Sequence, residues 1–168
     1  MQDECRSGKG WDEAMEESNV IKWHKWLKEL PMLEDYQVNR CFVQEDFGEI
    51  KTSELHHFAD ASQEGYGCVS YIRLVNHGGR IHCAFIMGKA IVAPIKAMTI
   101  PRLELQAAVL AVKMNKVISR EITLKVDCTR YWTDSQVVLC YIRNQTKRFK
   151  IFVANRLSKI HEGSSPDQ

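Results

Sequence analysis

Apolar residues along this chain change their spacing twice. At Val20, Trp23, Leu27 and Leu30, with Trp26 beside them, they recur as one helical face, and Pro31 is placed to stop that helix. A short extended piece is expected around residues 40–43. From Leu55 the pattern turns to strands. Leu55 to Asp60 reads as the first, Ala61 to Gly67 as a turn, Cys68 to Val75 as the second, residues 76–79 as a hairpin loop, and Arg80 to Met87 as the third. Three strands joined by short turns make an antiparallel meander. Past a loop bracketed by Pro94 and Pro101, the residues Leu103, Ala107, Leu110, Met114 and Val117 predict an amphipathic helix of about five turns. Thr99 is placed to cap it, and Pro101 sits in its first turn. Leu124 to Thr133 then reads as a strand, Ser135 as the cap of a helix carrying Val138, Leu139 and Ile142, and Phe149 to Ile160 as a last helix.

The order β, β, β, α, β, α, α points to an α/β fold. A strand that follows a helix after such a meander pairs in parallel with the first strand through a right-handed crossover. Residues 1–50 read as an N-terminal extension or linker with one helix, and residues 51–168 as the main domain. Trp23 and Trp26 on the extension helix are expected to cover the core of that domain, with docking on a partner as the alternative.

With 168 residues, 45% of them hydrophobic and 26% charged, the composition is that of one globular domain with at most a modest appendage. It does not suit a disordered, collagenous or coiled-coil chain. No apolar run approaches the roughly 18 residues of a membrane span, and residues 1–20 are polar and acidic where a leader would be basic and then apolar. The expectation is an intracellular chain, cytoplasmic or nuclear, with no membrane partner. Six cysteines at 5, 41, 68, 83, 128 and 140 include no CxxC pair and are read as reduced and structural, with Cys68, Cys83 and Cys140 packed as small hydrophobes.

Charge is unevenly placed. Residues 1–54 hold 13 acids and 7 bases, a net of −6, whereas residues 55–168 hold 8 acids and 16 bases, a net of +8. Between Ser135 and His161 there is no acid, while Arg143, Lys147, Arg148, Lys150, Arg156 and Lys159 supply six bases. This is either a solvated helix face or a surface that meets a polyanion.

Three acids of the second part stand in apolar or aromatic surroundings: Asp60 in the first strand, Glu104 in the first turn of the long helix, and Asp134 at the end of the later strand. Asp134 could simply cap the next helix, and Glu104 could favour the helix dipole. Asp60, mid-strand on the face of Phe58, is costly as an ion unless paired or metal-bound. In the expected topology the strands of Asp60 and Asp134 are neighbours and the long helix crosses them, so three carboxylates converge. Such oxygen donors suit magnesium or manganese, and two ions of this kind activate water and stabilise the leaving oxygen of a phosphodiester. Read from the residues alone, this is a metal-dependent nuclease or transferase, with RNA and DNA both open as substrates.

The ordered strings Leu55-His56-His57-Phe58-Ala59-Asp60-Ala61-Ser62, Gly65-Tyr66-Gly67, Thr99-Ile100-Pro101-Arg102-Leu103-Glu104-Leu105 and Tyr131-Trp132-Thr133-Asp134-Ser135 resemble the ribonuclease H domain of BEL/Pao-type retrotransposon polyproteins. Arg148-Phe149 and Phe152-Val153-Ala154-Asn155-Arg156 are similar too, and the likeness covers about residues 40–168. Gly10-Trp11-Asp12 looks like the stretch that joins the reverse transcriptase to the ribonuclease H domain. The resemblance implies a ribonuclease H-like mixed sheet flanked by helices, and endonucleolytic cleavage of the RNA strand of RNA/DNA hybrids with two Mg2+ ions, Mn2+ being possible. It also implies a reverse transcriptase domain as a partner in the same polyprotein. Asp60, Glu104 and Asp134 match the first three metal-binding, catalytic acids of the family, with Asp60 the bridging one. Ser62, Arg102, Ser135 and Gln136 match positions expected to contact the hybrid, and Lys147, Arg148 and Lys150 provide basic contacts. In the family a fifth strand and a fourth acid, in an Asn-Pro-Ala-Asp type motif, follow the basic helix. Neither occurs before Gln168, and Asp167 comes too early to serve. The expectation is therefore a domain incomplete at its C-terminal end. Two alternatives stay open: a non-catalytic nucleic-acid or protein-binding remnant, and a transposase or integrase of the same fold, for which Glu162 is the only acid after Asp134 within the helices.

Overall fold

The computed structural model describes residues 2–144 and 146–168. The chain forms two compact units, Met1–Arg40 and Cys41–Gln168.

In the first unit a short helix α1 (Gln2–Arg6), which periodicity does not reveal, precedes α2 (Glu17–Glu29). The carboxylate of Glu4 joins them by accepting hydrogen bonds from the Glu16 backbone N–H at 2.8 Å and from Asn19 Nδ2 at 2.7 Å. These bonds, the one from Asn19 foremost, hold the Glu4 carboxyl below its usual range. α2 ends at Glu29, and Pro31 lies in the 3-10 turn Leu30–Asp35 that follows. The Trp23 and Trp26 rings pack on each other at 4.9 Å, and both are about half exposed. Residues 40–43 form no strand.

The second unit is a four-stranded sheet of order β3-β2-β1-β4. β1 (Ile50–Ala61), β2 (Gly65–Asn76) and β3 (Ile81–Val92) form the antiparallel meander, and β4 (Cys128–Trp132) pairs in parallel with β1. Gly65 and Gly67, expected in a turn, lie inside β2. A Cβ on Gly65 would stand 2.7 Å from the Ile91 carbonyl oxygen, and one on Gly67 would stand 3.2 Å from that of Lys89. The close approach of β3 leaves no room for a side chain at Gly65 and little at Gly67, and the turn is confined to residues 62–64. β4 is shorter than expected because Leu124 and Val126 join the core without pairing along β1. Ser53 anchors that approach, its N–H donating to Asp127 Oδ2 at 2.9 Å and its hydroxyl to the Lys125 carbonyl.

The crossover helix α3 (Ile100–Glu121) packs across β1 and β2, and α4 (Gln136–Arg143) and α5 (Ile151–His161) pack on α3. α3 is buried on more than one side and supplies every part of the core. Ala107, Leu110, Ala111 and Met114 meet Ala59 and Cys68, Leu105, Val109 and Val112 meet Val138, Leu157 and Ile160, and Ile118 joins Leu55, Ile72 and Leu74. Phe47, from the stretch expected to be linker, completes this last group and is buried. All six cysteines are free. Cys68 is buried, and burial pushes its thiol up to about 11, whereas Cys83 and Cys140, expected to pack inside, are exposed. Cys83 pairs opposite Arg73, a residue of the sheet face that points away from α3.

Candidate functional site

The last residues paired between β1 and β4 are Phe58 and Trp132. Two positions further along each strand direction stand Asp60, still within β1, and Asp134, just past β4, so parallel pairing brings both to the same end of the sheet. Both line one open groove of about 1150 Å³, together with Phe58, Val69, Gly88 and Trp132. Asp60 is exposed, so the desolvation cost expected for a mid-strand carboxylate does not arise. Its partner across β2 is Gly67, which has no side chain to cover it, and Asp60 Oδ1 accepts the Ala61 N–H at 2.7 Å.

Glu104 reaches this end of the sheet differently. α3 starts at Ile100, so Glu104 is its fifth residue, one beyond the first turn, and the N-cap Thr99 makes no side-chain capping bond. The carboxylate instead meets Ser135, whose hydroxyl donates to Glu104 Oε2 at 2.5 Å and accepts the Val138 N–H at 3.3 Å as the N-cap of α4. The expected convergence of three acids is thus realised in two pieces: Asp60 with Asp134 in the groove, and Glu104 bonded to the residue after Asp134. Among the described residues no group of three His, Cys, Asp or Glu side chains is close enough to hold a metal ion ready-made. The donor set, three carboxylates at one end of the sheet, fits a hard divalent cation in its chemistry.

A second groove, of about 640 Å³, lies between the start of α3 and the loop that leads into α5. Arg102, Arg148 and Lys150 line it with Thr99 and Phe152, and no acid does. The Arg156 guanidinium lies 3.7 Å and that of Arg102 5.1 Å from the centre of the Phe152 ring, so one aromatic ring orders two cations. In the same loop Asn144 Oδ1 accepts the backbone N–H groups of Thr146 at 3.1 Å and Lys147 at 2.8 Å, and the Lys147 side chain is exposed. Ser62 lines the first groove, its hydroxyl accepting the Glu64 N–H at 3.2 Å, and Gln136 is exposed at the first position of α4. Ser135, by contrast, is buried. The structure therefore brings Asp60, Ser62 and Asp134 to one groove and Arg102, Arg148 and Lys150 to another. Glu104 stands on the same end of α3 as Arg102.

Sequence reasoning missed the Ser135–Glu104 bond and the stacking role of Phe152. The Phe152–Arg156 spacing of four within a helix is the one signal that could have suggested the latter.

A family model described as the Pao retrotransposon-like RNaseH-like domain matches residues 1–135. The chain belongs to that family. The match takes in Asp60, Glu104 and Asp134, and it begins at residue 1, so in this Pao-type domain the first unit is part of the family pattern. Among solved structures the domain is similar to RNase H1 from the halophilic archaeon Halobacterium salinarum NRC-1, at 14% identity over 65% of this chain and 75% of that one, with a TM-score of 0.42. It is also similar to the N-terminal RNase H domain of Rv2228c from Mycobacterium tuberculosis, at 6% identity over 66% and 72%, with a TM-score of 0.39. LC11-RNase H1, solved in complex with an RNA/DNA hybrid, matches at 10% identity over 66% and 75%, with a TM-score of 0.37. No curated protein matches. The ribonuclease H-like character of the Pao-type domain rests on the family match together with its own sheet, three strands antiparallel and one parallel.

Proposed function

We propose that this domain is a metal-dependent ribonuclease H that hydrolyses the RNA strand of RNA/DNA hybrids during reverse transcription. The observation that supports this most directly is the placement of Asp60 and Asp134 at the same end of two adjacent parallel strands, in one open groove, with Glu104 tied to Ser135. Magnesium or manganese bound there would polarise the scissile phosphate and make a hydroxide available at neutral pH. Asp60, Glu104 and Asp134 are the residues that would hold the ions. The chain's other contributions are positional: the open groove admits a duplex, Ser62 and Gln136 flank the acids, and Arg102, Lys147, Arg148 and Lys150 hold phosphates at a distance from the bond that breaks.

The test is cleavage of a labelled RNA/DNA hybrid in Mg2+ or Mn2+. Asp60→Asn should lower the rate at least about a hundredfold, the scale of losing one electrostatic contributor at a reacting phosphate. Equal inertness of wild type and variant would overturn the reading. A second reading, a non-catalytic binder of nucleic acid, is favoured by the acid-free basic groove and by the lack of a ready-made metal group among the described residues. It predicts salt-sensitive hybrid binding without turnover in either metal.

A further inference from the structure

We propose that Ser135 is a positioning residue that holds the Glu104 carboxylate for cation binding, and that it is not a contact to the nucleic-acid backbone; this rests on the metal-dependent reading above. Ser135 is 5% exposed, so a phosphate has little of it to touch. A serine hydroxyl has a single proton, and here it is given to Glu104 Oε2 at 2.5 Å, while the oxygen accepts the Val138 N–H at 3.3 Å. No donor remains for a substrate.

Ser135 ties three elements together, two of them through its hydroxyl. Ser135 starts α4, directly follows Asp134 beyond the end of β4, and grips the N-terminal part of α3 through Glu104. The Ser135 backbone N–H donates to Thr133 Oγ1 at 3.2 Å, which keeps the β4–α4 turn tight. One carboxylate oxygen is thereby held by a short charge-assisted bond, and the residue carrying it is fixed relative to Asp134. Glu104 and Asp134 come from segments 30 residues apart in sequence, and this bond links their neighbourhoods beside the packing of Leu105 on Val138.

Calorimetric titration of the 168-residue chain with Mn2+ tests the proposal. Ser135→Gly keeps an acceptable N-cap residue but removes the hydroxyl, and it should weaken Mn2+ binding about tenfold, as loss of a bond that orients a metal ligand does. Ser135→Thr restores a hydroxyl and should bind Mn2+ within about threefold of wild type. On a Glu104→Gln background, Ser135→Gly should have no further effect, whereas a purely structural role would give additive losses. Equal affinity of wild type and Ser135→Gly, failure of threonine to rescue, or additivity with Glu104→Gln would each overturn the positioning role. Should the glycine variant not fold, the comparison is made between Glu104→Gln and wild type and between Ser135→Thr and wild type, each read beside a urea-unfolding control. If wild type takes up no Mn2+, the metal-dependent reading falls and the proposal with it; affinity that Ser135→Gly leaves intact removes the proposal alone.

Discussion

His57 lies fully buried between the sheet and α3 with both ring nitrogens engaged. The Ser70 hydroxyl donates to Nδ1 at 2.7 Å, Nε2 donates to Asn115 Oδ1 at 3.2 Å, and the ring stacks on Tyr131 at 5.1 Å. These partners select one neutral tautomer, a choice made from the hydrogen-bond pattern. Burial holds the His57 pKa below the usual histidine value of 6.5; the Asn115 bond opposes this, and charge on His56 adds to it. The unfolded chain therefore takes up a proton near pH 6.5 that folded His57 accepts only at lower pH. Stability should fall as pH drops below about 6.5 and level off under the folded pKa. The carboxyls of Asp46 and Glu54 are also lowered, and they withdraw their stabilisation only in the more acidic carboxylate range. Urea midpoints measured between pH 7 and 5 should slope downward toward acid in wild type and be flatter in His57→Gln. An unchanged slope in the variant would assign the effect to another group. At this scale the sequence showed Asp60, Glu104 and Asp134 as odd acids, because charge among apolar residues is visible in one dimension. It could not show that His57 is the buried histidine of the pair at 56–57, nor that Asp60 is exposed, since both depend on what lies across the sheet.

The elements divide by how their apolar positions are used. α3 was legible because one of its faces repeats at helical spacing over five turns, although its second buried face, through Leu105, Val109 and Val112, is known only from α4 and α5 packing there. The strands were legible in number and order, while their ends were not: β1, β2 and β3 each run to 12 residues because pairing carries them past their apolar stretches. The end of α5 shows what close packing demands. A Cβ on Gly163, just after that helix, would lie 2.5 Å from Val112 Cγ1 and 2.9 Å from Lys116 Cε on α3. The lysine can swing aside, but Val112 is 4% exposed and cannot. Gly163→Ala should therefore destabilise the fold by about 1–3 kcal/mol, the usual cost of overpacking, as read from urea or thermal unfolding. A neutral result would mean that the end of α5 can move away from α3 at no cost.

For the whole molecule, the charge split between residues 1–54 and 55–168 could be counted from the sequence, and so could the run of six bases without an acid. Whether those bases form a surface was a question of tertiary structure, and the answer is the groove where Arg102 from α3 meets Arg148 and Lys150 from the loop before α5. If that groove and the neighbouring Lys147 hold phosphates, replacing Lys147, Arg148 and Lys150 together by Gln should weaken hybrid binding and reduce the slope of log affinity against log salt by about 2 to 3, one counterion's worth for each lost contact. Loss of affinity without a change in slope would argue against direct phosphate contact.

The sequence by itself determined the order of elements, the antiparallel meander followed by a crossover helix, the three acids in their motifs and the family resemblance, because each is written in local spacing and residue type. Only the tertiary structure decided that Asp60 and Asp134 share a groove while Glu104 is held by Ser135, that Gly65 and Gly67 serve strand packing, and that Phe152 orders two arginines. Those facts depend on segments tens of residues apart meeting across the parallel pair of β1 and β4 and along the two buried faces of α3, and no periodicity along one chain encodes which partner stands opposite.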